Sequence, residues 1–133
     1  MTACGLGVVA SSGDVTITDS TIALNESGGI RIEGAAFTIE NNFITQNGSL
    51  SSNFGGVTLS SPLTPSRMEH NTVVSNVQKI GLTTSSGITC NVDLPLPYNI
   101  VTNNTNKLNV PQITSCLPDN SFVEPIEIGR AHV

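Results

Sequence analysis

The chain has 133 residues, a net charge of −5, and only 11% charged and 4% aromatic residues. That is one domain at most, unless the chain is a solenoid whose coils pack only on their neighbours. The five basic residues (Arg31, Arg67, Lys79, Lys107 and Arg130) are scattered, which argues against a nucleic-acid or anionic-membrane partner, since phosphate binding calls for Lys/Arg clusters. The low charge and the many Ile, Val and Thr residues exclude a disordered acidic tail, and no apolar run is long enough to span a membrane.

The first ten residues are too short for a signal peptide and lack a basic leading region. The true N-terminus is therefore expected to lie upstream. Gly7-Val8-Val9-Ala10 reads as the earliest of a series of Gly-led strands. Ile17 marks a second short strand, and Ser20-Thr21-Ile22-Ala23-Leu24-Asn25 a third. The same three pieces then recur. Gly29-Ile30-Arg31-Ile32, Ile39 and the hexad Asn42-Phe43-Ile44-Thr45-Gln46-Asn47 form the next set. Gly56-Val57-Thr58-Leu59, Met68 and Asn71-Thr72-Val73-Val74-Ser75-Asn76 follow. Gly87-Ile88-Thr89-Cys90, Leu96 and Asn99-Ile100-Val101-Thr102-Asn103-Asn104 complete the clear repeats. The closing asparagines are 22, 29 and 28 residues apart. The variable spacing falls in polar loops: residues 48–55, residues 60–66 with Pro62 and Pro65, and residues 91–98 with Pro95 and Pro97. Those last prolines remove ladder donors and weaken the strand they sit in. Residues 107–124 read as a partial further coil or an end cap.

Within each piece the apolar residues alternate at period two, so one face points inward. Four inward columns follow: Val8/Ile30/Val57/Ile88, Ala10/Ile32/Leu59/Cys90, Ile17/Ile39/Met68/Leu96 and Ile22/Ile44/Val73/Val101. A single coil cannot bury such side chains, but stacked coils can. The fold class expected is therefore all-β, a right-handed parallel β-helix of about three to four coils, as a fragment of a longer stack. Residues 5–118 would carry the repeats and 119–127 a C-terminal extension. The right hand rests on the family that the motifs resemble and on the general rule for parallel crossovers.

The tail Ile128-Gly129-Arg130-Ala131-His132-Val133 can be encoded by the start of a common sequencing adapter. Residues 128–133 are accordingly read as non-native. Other codons for these residues in the gene would remove that reading.

The asparagines have a structural explanation. Asn tolerates the left-handed backbone that a sharp bend demands. Coils stacked about 4.8 Å apart bring equivalent amides within hydrogen-bonding reach. Two ladders are expected: Asn25, Asn47, Asn76 and Asn104 in one, and Asn42, Asn71 and Asn99 in the other. The functional alternative is a ligand-binding row of amides.

Carboxylates offer the one route to catalysis. Glu40 and Glu69 stand two residues before their hexads, with Asn41 and His70 beside them. On adjacent coils they would lie about one strand spacing apart on the outer face. Carboxylates so placed can cleave glycosides or hold Ca²⁺. No basic residue is expected to align with them, and a solvated polar column is the plainer reading. No cofactor or metal site is otherwise expected. Arg31 should point outward beside Thr58 and Thr89.

The Gly-Gly-Ile and Gly-Gly-Val strand starts and the Asn-Thr-Val-Val-Ser-Asn type of hexad resemble the right-handed parallel β-helix, or pectin-lyase-like, superfamily. Over residues 5–118 the chain most resembles secreted bacterial β-helix repeat proteins. The resemblance implies fold and an extracellular or cell-surface location, and is nearly silent on activity. The lyases and hydrolases of that superfamily carry acidic and basic clusters on one strand face, and no such cluster is legible here. Members of the bacterial families often place a cysteine on either side of a late hexad, which here corresponds to Cys90 and Cys116. A disulfide and two buried free thiols are both compatible with that pair, and a bond would need the C-terminal segment to fold over the end of the stack. Cys4 would pair with a coil upstream. The function expected is a non-catalytic extracellular scaffold or surface module in weak contact with a polysaccharide or cell-surface glycan. The alternative is a fragment of a polysaccharide lyase or glycoside hydrolase.

Overall fold

The structure is a computed structural model that describes residues 5–79, 84–104 and 112–124. Cys4, Lys107 and the adapter-like tail lie outside the described residues. The short alternating segments become strands, and among the described residues there is no helix. Strands β1 (Leu6–Ala10), β2 (Asp14–Thr18) and β3 (Thr21–Ala23) make the first turn of a solenoid. The second turn is β4 (Gly28–Glu33), β5 (Ala36–Glu40) and β6 (Phe43–Thr45), and the third is β7 (Val57–Ser60), β8 (Arg67–Glu69) and β9 (Thr72–Val74). Then come β10 (Ile88–Pro95) with β11 (Ile100–Thr102), and β12 (Ile113–Leu117) with β13 (Phe122–Glu124).

Corresponding strands pair in parallel across successive turns, giving three sheets: β1-β4-β7-β10-β12, β2-β5-β8 and β3-β6-β9-β11-β13. The result is a parallel β-solenoid of about four turns. The middle sheet stops after three strands. Its next position is the segment carrying Pro95 and Pro97, where two N–H donors are missing.

Register follows the hydrophobic pattern. Val8, Ile30, Val57, Ile88 and Ile113 pair in sequence, as do Ile22, Ile44, Val73, Val101 and Val123. Ile17, Ile39 and Met68 stack in the middle sheet, and Leu96 remains buried beyond them although it belongs to no strand there. Ile30, Ile32, Ile39, Ile44, Leu59, Met68, Val73, Ile88 and Val101 are fully buried and form one continuous core. At about 25 cal/mol per Å² of apolar surface removed from water, these columns are the main stabilising contribution. Arg31 pairs with Thr58, and Thr58 with Thr89, on the outer face.

Two rows of amides run inside the bends. Asn25 Nδ2 donates to Asn47 Oδ1 at 2.9 Å, Asn47 Nδ2 to Asn76 Oδ1 at 3.0 Å, and Asn76 Nδ2 to Asn104 Oδ1 at 2.7 Å. Each Oδ1 also accepts the backbone N–H of the asparagine one turn earlier. In the second row Asn42 Nδ2 donates to Asn71 Oδ1 at 3.0 Å and Asn71 Nδ2 to Asn99 Oδ1 at 3.1 Å. Asn47, Asn76 and Asn104 further donate to the carbonyls of Ile22, Ile44 and Val73, and Asn42, Asn71 and Asn99 to those of Ile17, Ile39 and Met68. The rows extend past the asparagines. Gln112 Oε1 accepts from Asn104, and Ser121 Oγ from the N–H of Asn99.

The bends correct one expectation. None of the row asparagines is left-handed. The residue just before each one is: Leu24, Gln46, Ser75 and Asn103 in one row, and Asn41, His70 and Tyr98 in the other, as is Asp19 before Ser20 at the equivalent bend of the first turn, with φ between 49° and 63°. The left-handed residue turns the chain and sends its own side chain outward, and this swings the next residue's amide inward. Asparagine is thus selected for its hydrogen bonds, while the strained position accepts leucine, histidine and tyrosine at about 1–2 kcal/mol each.

A second correction concerns the cysteines. Cys90 and Cys116 are bonded, with Cα atoms 5.2 Å apart. No fold-over of the stack end is needed. β12 is the strand of the following turn, and β10 pairs with it at Ile88–Ile113 and Thr89–Thr114, bulges, and resumes at Leu94–Cys116. Both cysteines are buried, so the bond ties consecutive turns from within. Residues 91–95, expected as loop, belong to β10, and the described part of residues 107–124 continues the stack instead of capping it.

Candidate functional site

Where the middle sheet meets the third sheet, outward side chains gather from several turns. On the middle sheet Thr18, Glu40 and Glu69 are in register. One residue further, at the left-handed bend, come Asp19, Asn41, His70 and Tyr98. One atom from each of Glu40, Glu69 and His70 can be chosen so that all three lie within 4.8 Å of one another.

Arg67 changes the character of this cluster. It stands two residues before Glu69 on β8, so the period-two alternation puts both on one face. Its Nη2 lies 3.3 Å from Glu40 Oε2 and its Nε 3.7 Å from Glu69 Oε1. The expectation that no basic residue would align with the carboxylates is therefore wrong. The signal was present in the sequence, because Arg67 precedes Glu69 by one strand period. The Arg67 side chain is 54% exposed, so each pair contributes less than about 1 kcal/mol.

The donors are a poor match to Ca²⁺, which takes six to eight oxygen ligands. Here one of three donors is an imidazole, and a guanidinium already sits against both carboxylates. One oxygen of Glu40 and one of Glu69 lie within 4.8 Å of each other, and the two carboxyl groups of a retaining glycosidase stand about 5–5.5 Å apart. Such a pair needs one member to act as acid and the other as nucleophile. Glu40 and Glu69 instead meet the same guanidinium on the same outer face, so their surroundings assign them no separate roles.

Beside the cluster lies an open depression of about 330 Å³ lined by Thr18, Asp19, Glu40, Asn41 and His70. Asn41 Nδ2 donates to Asp19 Oδ1 at 2.6 Å, fixing the amide plane. The ring of His70 stacks on that of Tyr98, with centroids 5.4 Å apart and 7° between planes. The third sheet continues this surface. Its outward column runs Thr21, Phe43, Thr72, Ile100 and Phe122 in strict register. Phe43, Ile100 and Phe122 are each about half exposed, as is Tyr98.

No family model, curated protein or solved structure matches the chain. The rows of Asn25, Asn47, Asn76 and Asn104 and of Asn42, Asn71 and Asn99 are largely buried, and their amides are taken up by the neighbouring turns. Glu40, Glu69 and His70 come together on the outside. Sequence reasoning missed the exposed ring and apolar groups of Phe43, Tyr98, Ile100 and Phe122. The signal for them was the second position of each hexad, outward by alternation yet filled by Phe43 and Ile100 where a polar residue was due.

Proposed function

We propose that the chain is a non-catalytic module of an extracellular protein, a spacer or surface scaffold of the right-handed, pectin-lyase-like β-helix kind, related to secreted bacterial repeat proteins and in weak contact with glycan. The observation that carries this reading is where the repeated residues are used. The asparagine amides are spent within the frame, bonded to the next turn and to carbonyls of the previous one. The disulfide between Cys90 and Cys116 suits an oxidising compartment. Among the described residues no helix is long and apolar enough to cross a membrane. We propose no cofactor.

The second reading, a fragment of a polysaccharide lyase or hydrolase, is favoured by one observation, the close approach of Glu40 and Glu69. Incubating the chain with polysaccharides and measuring new reducing ends and unsaturated products separates the two. The scaffold reading expects neither product, and expects Glu69→Gln to change stability by no more than about 0.5 kcal/mol in a thermal melt. Depolymerisation that disappears in Glu69→Gln while the melt is kept would replace the scaffold with the enzyme.

A further inference from the structure

We propose that the outer bend between the middle and third sheets is a binding platform for a neutral polysaccharide strand lying along the solenoid axis. This deepens the glycan contact of the reading above and rests on it. A sugar ring offers an apolar C–H face and an equatorial rim of hydroxyls. It is recognised by flat ring surfaces flanked by a few fixed planar polar groups. Both are present here, side by side. The stacked rings of His70 and Tyr98 form a two-ring shelf on the third and fourth turns. Phe43 and Phe122 stand on the same side of the third sheet, Phe43 one turn before Thr72 and Phe122 one turn beyond Ile100. Next to the shelf, Asn41 is held by Asp19, and a further depression of about 440 Å³ runs from these residues to Phe43 and Thr72.

Periodicity sets the direction. The turns repeat at about 4.8 Å, close to the length of one pyranose unit in an extended β-linked chain, so successive sugars can meet equivalent positions on successive turns. Charge sets the class. Asp19, Glu40 and Glu69 border the shelf, and Arg67 is already engaged with both glutamates. A uronic-acid polymer would meet like charge, whereas a neutral glucan, xylan or mannan would meet acceptors for its hydroxyls. Phe43 and Phe122 are half exposed and are separated in their column by Thr72 and Ile100, which points to weak, additive contacts instead of a deep pocket.

The test uses the intact chain and four probes: the β-1,4-linked hexasaccharides of glucose, xylose and mannose, and an oligogalacturonate of the same length. Binding is followed by NMR titration, with sedimentation in parallel. At least one neutral probe is expected to bind in the millimolar range and to shift the resonances of Tyr98, His70 and Phe43, with oligogalacturonate weaker by fivefold or more. Tyr98→Ala and Phe43→Ala should each weaken binding about fivefold while leaving the melt in place. The proposal is overturned if no neutral probe binds, if oligogalacturonate binds best, if Tyr98→Ala leaves affinity unchanged, or if the chain dimerises and Phe43→Ala dissolves the dimer. None of those results would yield cleavage products, so each leaves the scaffold reading standing. Cleavage of a neutral probe would instead remove the scaffold reading itself.

Discussion

Replacing Gly56 with valine is expected to destabilise the chain by more than about 4 kcal/mol, the largest effect anticipated for any single substitution. A Cβ at this position would lie 2.6 Å from the carbonyl oxygen of Gly87, 2.9 Å from Cγ1 of Val73 and 3.2 Å from Nδ2 of Asn76. The first contact is with backbone of the next turn, which cannot move without opening the sheet. Gly29 is placed in the same way, its Cβ position 2.5 Å from the carbonyl oxygen of Gly56 and 3.1 Å from Nδ2 of Asn47. The glycine column and the asparagine row therefore face one another, and the missing side chains make the room the amides occupy. Neither glycine has a positive φ, so space is the constraint and not backbone freedom. Urea melts of Gly56→Val and of Thr58→Val, which lies two residues on at the outer face of β7, should separate sharply. Thr58→Val should shift stability by no more than about 0.5 kcal/mol. A Gly56→Val melt as mild as that of Thr58→Val would mean the turns are not packed this closely.

Asn76→Leu is expected to cost about 3–5 kcal/mol. Leucine keeps the number of side-chain heavy atoms but is bulkier and has no polar group, so the loss is chiefly in hydrogen bonds. Asn76 Oδ1 accepts from the N–H of Asn47 at 2.9 Å and from its Nδ2 at 3.0 Å, and Asn76 Nδ2 donates to Ile44, Val74 and Asn104. Leucine leaves the Asn47 N–H buried without its acceptor, at about 1–3 kcal/mol, and removes the remaining bonds at about 1 kcal/mol each. No conformational strain is added, because Asn76 is not left-handed. The strained residue is Ser75, with φ 61°. An undisturbed thermal melt for Asn76→Leu would contradict the structural role of the row.

The turns themselves were legible because burial in a parallel sheet fixes which residues face in. Ile30, Val57 and Ile88 occupy identical positions after a glycine, and no other register buries all three. The asparagine rows were legible as spacing but not as geometry. A repeated Asn signals a bend, yet the sequence does not say whether the bend or the neighbouring amide needs it, and the strained position one residue earlier shows no single residue type. The extension of the rows to Gln112 and Ser121 was hidden because chemically different side chains meet the same demand: an oxygen acceptor at the right height. The Cys90–Cys116 arrangement depended on a bulge in β10, which period-two counting cannot register. The outer platform was missed for another reason. Alternation says that Phe43, Ile100 and Phe122 point outward, but an exposed apolar residue means little alone, and only the stacking of turns places them with Tyr98 along one edge.

The claim that the asparagines belong to the frame and not to a ligand site is tested most directly by side-chain amide hydrogen exchange, read by NMR on the intact chain. The Nδ2 protons of Asn47, Asn76, Asn104, Asn42, Asn71 and Asn99 are bonded inside the stack. They should exchange only when turns separate, orders of magnitude more slowly than those of the exposed Asn41 and Asn103. Their resonances should also stay fixed when glycan is added. Exchange as fast as at Asn41, or shifts of the row amides on titration with glycan, would contradict the account.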